Sequence, residues 1–387
     1  MSIYSTEYTF KFSTSIEQVG QTVWDNLANG NSPFCQYPFL HALETSGSVG
    51  GKSGWQPFHL VIYQNSDPVG ILPLYKKTHS YGEYVFDFAW ANTYRQYGVN
   101  YYPKLVAAIP FTPVTGARLM LNATIDRQQL IPILCQEITN QLTLFGMSSM
   151  HWLFVEQDIS QTLHEHHQIQ RKAVQFEWFN RQYSSFDDYL THFNSRKRKN
   201  VRKERIKITT EGIKVVRLYG EGLTEKNMRF FYDCYKQTYL KRSGHDGYLT
   251  EDFFQKIFRN LHQNLMLVIA LKDNTPIASA LFVFDKNQLC GRYWGALEDI
   301  DNLHFECCYY QGIEFCIERN IAKFNPGTQG EHKILRGFEP IYCYSNHSLT
   351  ELAFHEAVER FIDEENTQIT QYKNNAEKLL PFKQTQD

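Results

Sequence analysis

Two stretches lying about 210 residues apart follow one plan. Residues 60–77 read LVIYQNSDPVGILPLYKK, and residues 267–286 read LVIALKDNTPIASALFVFDK. Each is a β-branched run, a polar turn leading into Pro68 or Pro276, and a second apolar run, which is the pattern of a β-hairpin. A further aromatic run, expected as a strand, follows each: Tyr84 to Trp90 and Cys290 to Ala296. Farther on, Phe111 to Gly116 (FTPVTG) echoes Phe324 to Gly330 (FNPGTQG). A period this long cannot be a solenoid repeat and points to duplication of a whole α/β domain. A chain of 387 residues has room for two such cores. The expected division is 1–170 and 171–387.

In chain order, the first half opens with a strand (Tyr8 to Phe12) and a helix near Ile16 to Leu27. Asn31 to Trp55 reads as loop, because its glycines have neither G-x-G-x-x-G nor Walker spacing. A helix from Arg127 to Leu144 and a strand from Met150 to Glu156 close this half. The second half begins with a strand, Val174 to Asn180, and a helix capped by Ser185 with Asp188 three places on. Helices from Lys226 to Tyr239 and from Thr250 flank a polar segment, Lys241 to Gly247, expected as a lid loop. Phe338 to Tyr344 reads as the last strand and Leu349 to Asn366 as an amphipathic terminal helix.

A formal net charge of −2 excludes a globally basic nucleic-acid binder but leaves room for a local patch. No apolar run approaches the ~18 residues of a spanning helix. MSIYSTEYTFKFSTS lacks the layout of a signal peptide, so a cytoplasmic protein without a transmembrane segment is expected. The eight cysteines form no C-x-x-C pair and read as small buried hydrophobes. His164-Glu165-His166-His167 does not place two imidazoles one helical turn apart, so no metal is expected.

Two segments look chemical. Ser195 to Lys207 (SRKRKNVRKERIK) holds eight bases against one acid, Glu204, so pairing along the helix cannot neutralise it. Such density calls for phosphates or an acidic surface, and the acid-rich Glu351 to Glu365 segment stands as the second possibility. The other segment is Leu303 to Phe338. Its first part is a helix with apolar residues at i, i+3, i+4, i+7 and with Glu306, Tyr310 and Glu314 on one face, read as exposed. A turn-rich run, Asn325 to Gly330, then delivers Glu331, His332, Lys333 and Arg336.

PKLVAAIPFTPVTGARL, SRKRKNVRKERIK, LHFECCYYQGIEFCIE and FNPGTQGEHKILRGFEP together resemble the FemAB-like family of N-acyltransferases in the GNAT superfamily. The resemblance implies an α/β (α+β) chain of two tandem GNAT-like domains, each a mixed, mostly antiparallel sheet flanked by helices. It also implies transfer of an acyl or aminoacyl group to an amine. Fem enzymes take the group from aminoacyl-tRNA and GNAT enzymes from acyl-CoA, so either is the expected donor substrate, with no tightly bound cofactor. No Q/R-x-x-G-x-G/A segment follows the second hairpin, where GNAT proteins cradle the pyrophosphate of CoA.

Acyl transfer to an amine needs a base, donors for an oxyanion and an acid for the leaving group. The expected assignments are Glu331 or His332 as base or its orienter, Glu306 for the acceptor ammonium, and Tyr309, on the resemblance, as acid. Lys333 and Arg336 are expected to hold donor phosphate or developing charge. Arg196, Lys197, Lys199, Arg202 and Lys203 are expected to meet the phosphates of a tRNA-type donor. Tyr102, Lys104 and Arg118 are expected on the side of the acceptor, a small-molecule or peptide amine. The rival reading is a non-catalytic tRNA- or RNA-binding protein on the same scaffold.

Overall fold

The computed structural model describes residues 8–328 and 330–383. The chain divides into two units: the residues up to 173 together with 343–369, and 174–342 together with those from 370 on. The segment 343–369, assigned on sequence to the second half, thus groups with the first.

In the first unit, β1 (Tyr8–Ser13), β2 (His59–Gln64) and β3 (Asp67–Leu72) pair antiparallel in that order. Pro73 has no N–H to donate and interrupts the run before β4 (Leu74–Lys77). β4 pairs antiparallel with β5 (Lys104–Ala107), and β5 pairs parallel with β6 (Ser149–Val155). Leu60, Leu72, Leu105 and Trp152 are buried against Leu130, Leu134 and Ile138 of the helix Arg127–Leu144.

The second unit repeats the plan. It takes in the second part of β7 (Ile169–Phe179), then β8 (Ile213–Tyr219), β9 (Leu265–Lys272), β10 (Thr275–Phe284) and β11 (Gln288–Ala296). β8 to β11 form an antiparallel run in chain order. β11 then pairs parallel with β12 (Lys323–Asn325), which meets β7 at Trp178 and Phe179. Four helical elements position the site: α1 (Ser195–Thr210), α2 (Glu225–Ser243), α3 (Glu251–Asn260) and α4 (residues 303–319). Each of the first three is capped by a side chain, of Asn194, Thr224 and Thr250.

The duplicated hairpins match in detail. Asn65-Ser66 and Asp273-Asn274 form two-residue loops with all four φ angles positive, as a primed hairpin turn requires. Pro68 and Pro276 are each followed at once by a register shift in the ladder. Each hairpin is followed by a strand that pairs parallel with the next major strand, β5 with β6 and β11 with β12.

Several local expectations change. Tyr84 to Trp90 is not a strand: it runs through loop into the helix Phe88–Gln96, and β5 is the third strand instead. Phe111 to Gly116 therefore follows the third strand, whereas Phe324 lies on the fourth, so those two stretches are not equivalent. The helix near Ile16 breaks at Gly20, whose φ of 87° no right-handed helix accepts. The expected loop before Trp55 contains the helix Tyr37–Thr45.

One close approach fixes α2 on the sheet. A Cβ on Gly295 would lie 1.9 Å from the carbonyl oxygen of Cys234. Backbone stands there, so no rotamer change relieves the clash. Gly295→Ala is expected to cost at least about 2 kcal/mol by overpacking. Urea unfolding of the variant measures it, and a loss under about 0.5 kcal/mol would show that α2 does not depend on this contact.

Candidate functional site

The site begins where a ladder ends. β11 and β12 share only three rungs, Gln288 with Lys323, Leu289 with Phe324 and Cys290 with Asn325. Pro326 then has no N–H to continue, and Gly327, at φ 95°, turns the chain away. At the same level β11 is bulged against β10: Leu281 faces Tyr293 and Phe282 faces Gly291, which leaves Arg292 as the extra residue. The parting strands and the bulge leave a cavity of about 280 Å³ beside the Gly291–Trp294 edge. α2 walls it with Tyr235, Tyr239 and Arg242, and Thr238 Oγ1 ties the helix down by donating to the Trp294 carbonyl at 2.8 Å. His304 and Cys308 close it from α4.

α4 is not a regular helix. Glu306–Tyr310 is a π-turn, an insertion that recurs at functional sites. His304 and Cys308 reach the cavity, while Glu306, Gln311 and Glu314 line a separate pocket beside α1. Glu306, Tyr310 and Glu314 do share a face, but α1 covers it. Arg205 Nε and Nη2 donate to the two Glu306 oxygens at 3.0 and 2.9 Å, and Nη1 donates to Glu314 at 2.6 Å. Gln311 Nε2 donates to Glu306 at 2.7 Å. The Tyr310 hydroxyl donates to Glu204, which also accepts from Arg336 Nη2 at 2.8 Å.

The 3₁₀ segment Glu331–Arg336 packs against the same helix. Arg336 lies over the Phe305 ring, 3.4 Å from its centroid, and Nη1 donates to the His332 carbonyl at 2.8 Å. His332 Nε2 is 2.8 Å from the Tyr309 hydroxyl. Burial pushes the Tyr309 hydroxyl up, so it keeps its proton. Partial burial and the cations Arg336 and Lys333 push the His332 imidazole down. His304 falls further, to about 3, through burial and the positive neighbours His332, Lys333, Arg242 and Arg336. It is therefore a neutral imidazole with a lone pair. Lys333 is 1% exposed, donates from Nζ to the Gly327 carbonyl at 2.6 Å, and is lowered by burial to about 7.

Two expected carboxylates leave the site. Glu306 is 4% exposed and held by Arg205, so it does not offer itself to an acceptor ammonium. Glu331 is exposed and accepts from the Tyr372 hydroxyl at 2.8 Å. Tyr309, His332, Lys333 and Arg336 do come together. On α1, Arg196, Lys199 and Lys203 are exposed and Lys197 half-buried, with no carboxylate in ion-pair distance among the described residues. Arg202 meets Asp187 at 3.0 Å, and Arg205 and Lys207 meet Glu306, Glu314 and Asp301.

In the first unit, Lys104 is fully buried, 2.8 Å from Glu83, and bonded to Asp87 as well. Arg118 is buried and donates to the carbonyls of Leu153 at 3.0 Å and Val114 at 2.7 Å. Both groups are consumed inside the fold, where an unpaired charge would be costly, so neither reaches an acceptor. Tyr102, half-buried, does line a pocket and bonds Ser80 at 2.8 Å.

Sequence reasoning missed His304, Arg242, Arg292 and the α2 tyrosines. The signal was present in Gly291 and Gly295, two glycines in one aromatic strand, which mark a bulge and a close backbone approach.

A family model, FemAB-like, described as peptidoglycan biosynthesis/recognition, matches residues 15–384. No curated protein matches. Among solved structures, a conserved protein of unknown function from Bacteroides thetaiotaomicron VPI-5482 is similar with a TM-score of 0.54 at 10% identity, over 89% of this chain and 100% of that one. FemX is similar with a TM-score of 0.52 at 10% identity, over 91% and 100%. A tandem GNAT protein from the clavulanic acid biosynthesis pathway is similar with a TM-score of 0.49 at 9% identity, over 89% and 99%. The likeness to FemX and to the Bacteroides protein accords with the expected α/β fold in two units. No described helix is long and apolar enough to cross a membrane.

Lys333 gives a test by linkage. Its folded value of about 7 lies below the ordinary lysine value of 10.5, so between them the unfolded chain binds the extra proton and stability rises with pH. In urea unfolding from pH 7 to 9.5, Lys333→Met is expected to flatten that rise by about 1.4 kcal/mol per pH unit. An unchanged slope would mean that the amine is charged in the fold.

Proposed function

This chain belongs to the FemAB-like family and is an acyltransferase, and from that premise we propose that it moves an acyl or aminoacyl group to an amine in the cavity beside β11. The carrying observation is the meeting of two things at one cavity: a strand edge released from its ladder, and a neutral imidazole. The amine nitrogen attacks the donor carbonyl, and main-chain N–H groups of the Gly291–Trp294 edge receive the charge on the oxygen. As the C–N bond forms, the nitrogen becomes strongly acidic, and the His304 lone pair takes its proton. A base of low pKa is sufficient at that stage. The bond from carbonyl carbon to the donor oxygen or sulfur breaks, and the leaving atom is protonated. Tyr309, whose hydroxyl is retained and held by His332, is the nearby acid.

The proposed donor is aminoacyl-tRNA rather than acyl-CoA. Residues 297–302, between β11 and α4, read LEDIDN. That segment offers no glycine-rich turn to cradle a pyrophosphate, and it adds carboxylates rather than cations there. Arg196, Lys197, Lys199 and Lys203 offer the phosphate contacts instead. The family description favours a peptide-type amine as acceptor.

His304→Gln is expected to lower turnover ~10²-fold with the fold retained. The measurement is product formation from charged tRNA and from acyl-CoA against a panel of amines, and an unchanged rate would remove His304 from the mechanism. For the donor, the slope of log K for tRNA against log[salt] should fall by about 3 when the four free bases of α1 are replaced by Gln. An unaltered slope would place the phosphates elsewhere.

A further inference from the structure

The cavity has a charge preference that the reaction class does not require. Two of its lining side chains are guanidiniums, Arg242 and Arg292, and none of the described lining residues is a carboxylate. Of the three acids in the connecting segment, Glu298 meets Lys272 at 3.1 Å and Asp301 meets Lys207 at 2.8 Å, and Asp299 is not among the lining residues. Arg242 is exposed at the end of α2 with no carboxylate in ion-pair distance among the described residues. Arg292 projects from the bulge and lies over the Tyr293 ring, 5.2 Å from its centroid. Tyr235 and Trp294 add aromatic surface to the same wall.

We infer that this cavity selects a group that carries an anion on an apolar or aromatic body, and that it rejects a cationic side chain of the same size. The inference rests on the acyl-transfer reading and adds the substrate class. A guanidinium presents a fork of N–H donors that matches a carboxylate or phosphate; the lining holds two, with aromatic rings for the apolar body. A cationic chain would meet two like charges and no carboxylate among the described lining residues, in a site where only part of the field is screened by water. The anion has two possible sources: a carboxylate on the transferred or accepting molecule, or a phosphate of the donor.

Calorimetric titration of the full chain at pH 7.5 and low salt, with a matched trio of probes, reads the preference directly. Phenylacetate is expected to bind at least ~10-fold tighter than phenylacetamide, and phenethylamine to bind weakest. Arg242→Gln should weaken phenylacetate ~10-fold and leave phenylacetamide unchanged; because Arg242 is exposed, the variant should fold. Arg292→Lys, which keeps the charge, should lose less than Arg292→Gln. Inorganic pyrophosphate displacing phenylacetate assigns the anion to the donor, and failure to displace it assigns a carboxylate; either supports the selection. Absence of phenylacetate binding, phenethylamine binding as tightly, or an unchanged affinity in the double Arg→Gln variant would overturn it. His304→Gln should keep the preference, so full turnover in that variant would defeat the acyl-transfer mechanism without touching this one.

Discussion

The second unit depends on the shortness of one parallel ladder. Three rungs bind β11 to β12, and then Pro326 and Gly327 withdraw the partner strand while β11 continues to Ala296. A strand edge facing protein without a ladder would normally be a liability, because each buried main-chain group must find a partner. Here the edge opens on the cavity walled by α2 and α4. The first unit shows the alternative use of the same geometry. β5 and β6 also share three rungs, Leu105 with Met150, Val106 with His151 and Ala107 with Trp152. Around them the interior is occupied by Lys104 with Asp87, Tyr101 with Asp87, and His151 with His347 at 2.7 Å. Beside its short parallel ladder the second unit thus has a cavity, while the first has a buried network of charged and polar groups.

α1 works on two sides. Its outer surface offers Arg196, Lys199 and Lys203, which have no carboxylate in ion-pair distance among the described residues. Its inner side spends Glu204 and Arg205 on the π-turn and on Arg336. A π-turn spaces its hydrogen bonds less favourably than an α-turn, so it persists where surrounding contacts determine it. Arg205, bidentate on Glu306 and bonded to Glu314, supplies that determination, and Arg336 extends it to the main chain of His332. The helix that would meet a phosphate-rich donor is therefore bonded to the elements that place Tyr309 and His332.

Much of this was legible in the chain itself. The hairpins were, because a polar turn, a proline and β-branched flanks leave few alternatives, and both turned out to share turn type and bulge position. The face shared by Glu306 and Glu314 was legible from spacing. What covered it was not, since one arginine, the eleventh residue of the basic stretch that starts at Ser195, gives no sign that it, rather than its neighbours, turns inward. Lys104 and Arg118 were misplaced for a related reason: a charged residue in a short strand or loop reads as surface, and only tertiary partners such as Glu83 and the Val114 carbonyl make its burial tolerable. His304 was passed over because the cavity that gives it meaning is built from three distant segments.

Lys333 and His304 are both depressed, but not for identical reasons. Lys333 has no carboxylate in ion-pair distance among the described residues, and burial lowers it to about 7. His304 is lowered by the same burial and by the cations around it, including Arg242 on the cavity wall. His304 and Arg242 line the cavity and Lys333 does not, so an acceptor amine there would meet the positive field, which disfavours an ammonium, rather than the full burial of Lys333. In the proposed reaction that field assists loss of the ammonium proton, and His304 takes the proton released as the new bond forms. Part of the field that lowers His304 comes from Arg242, the guanidinium proposed to favour an anion on the ligand.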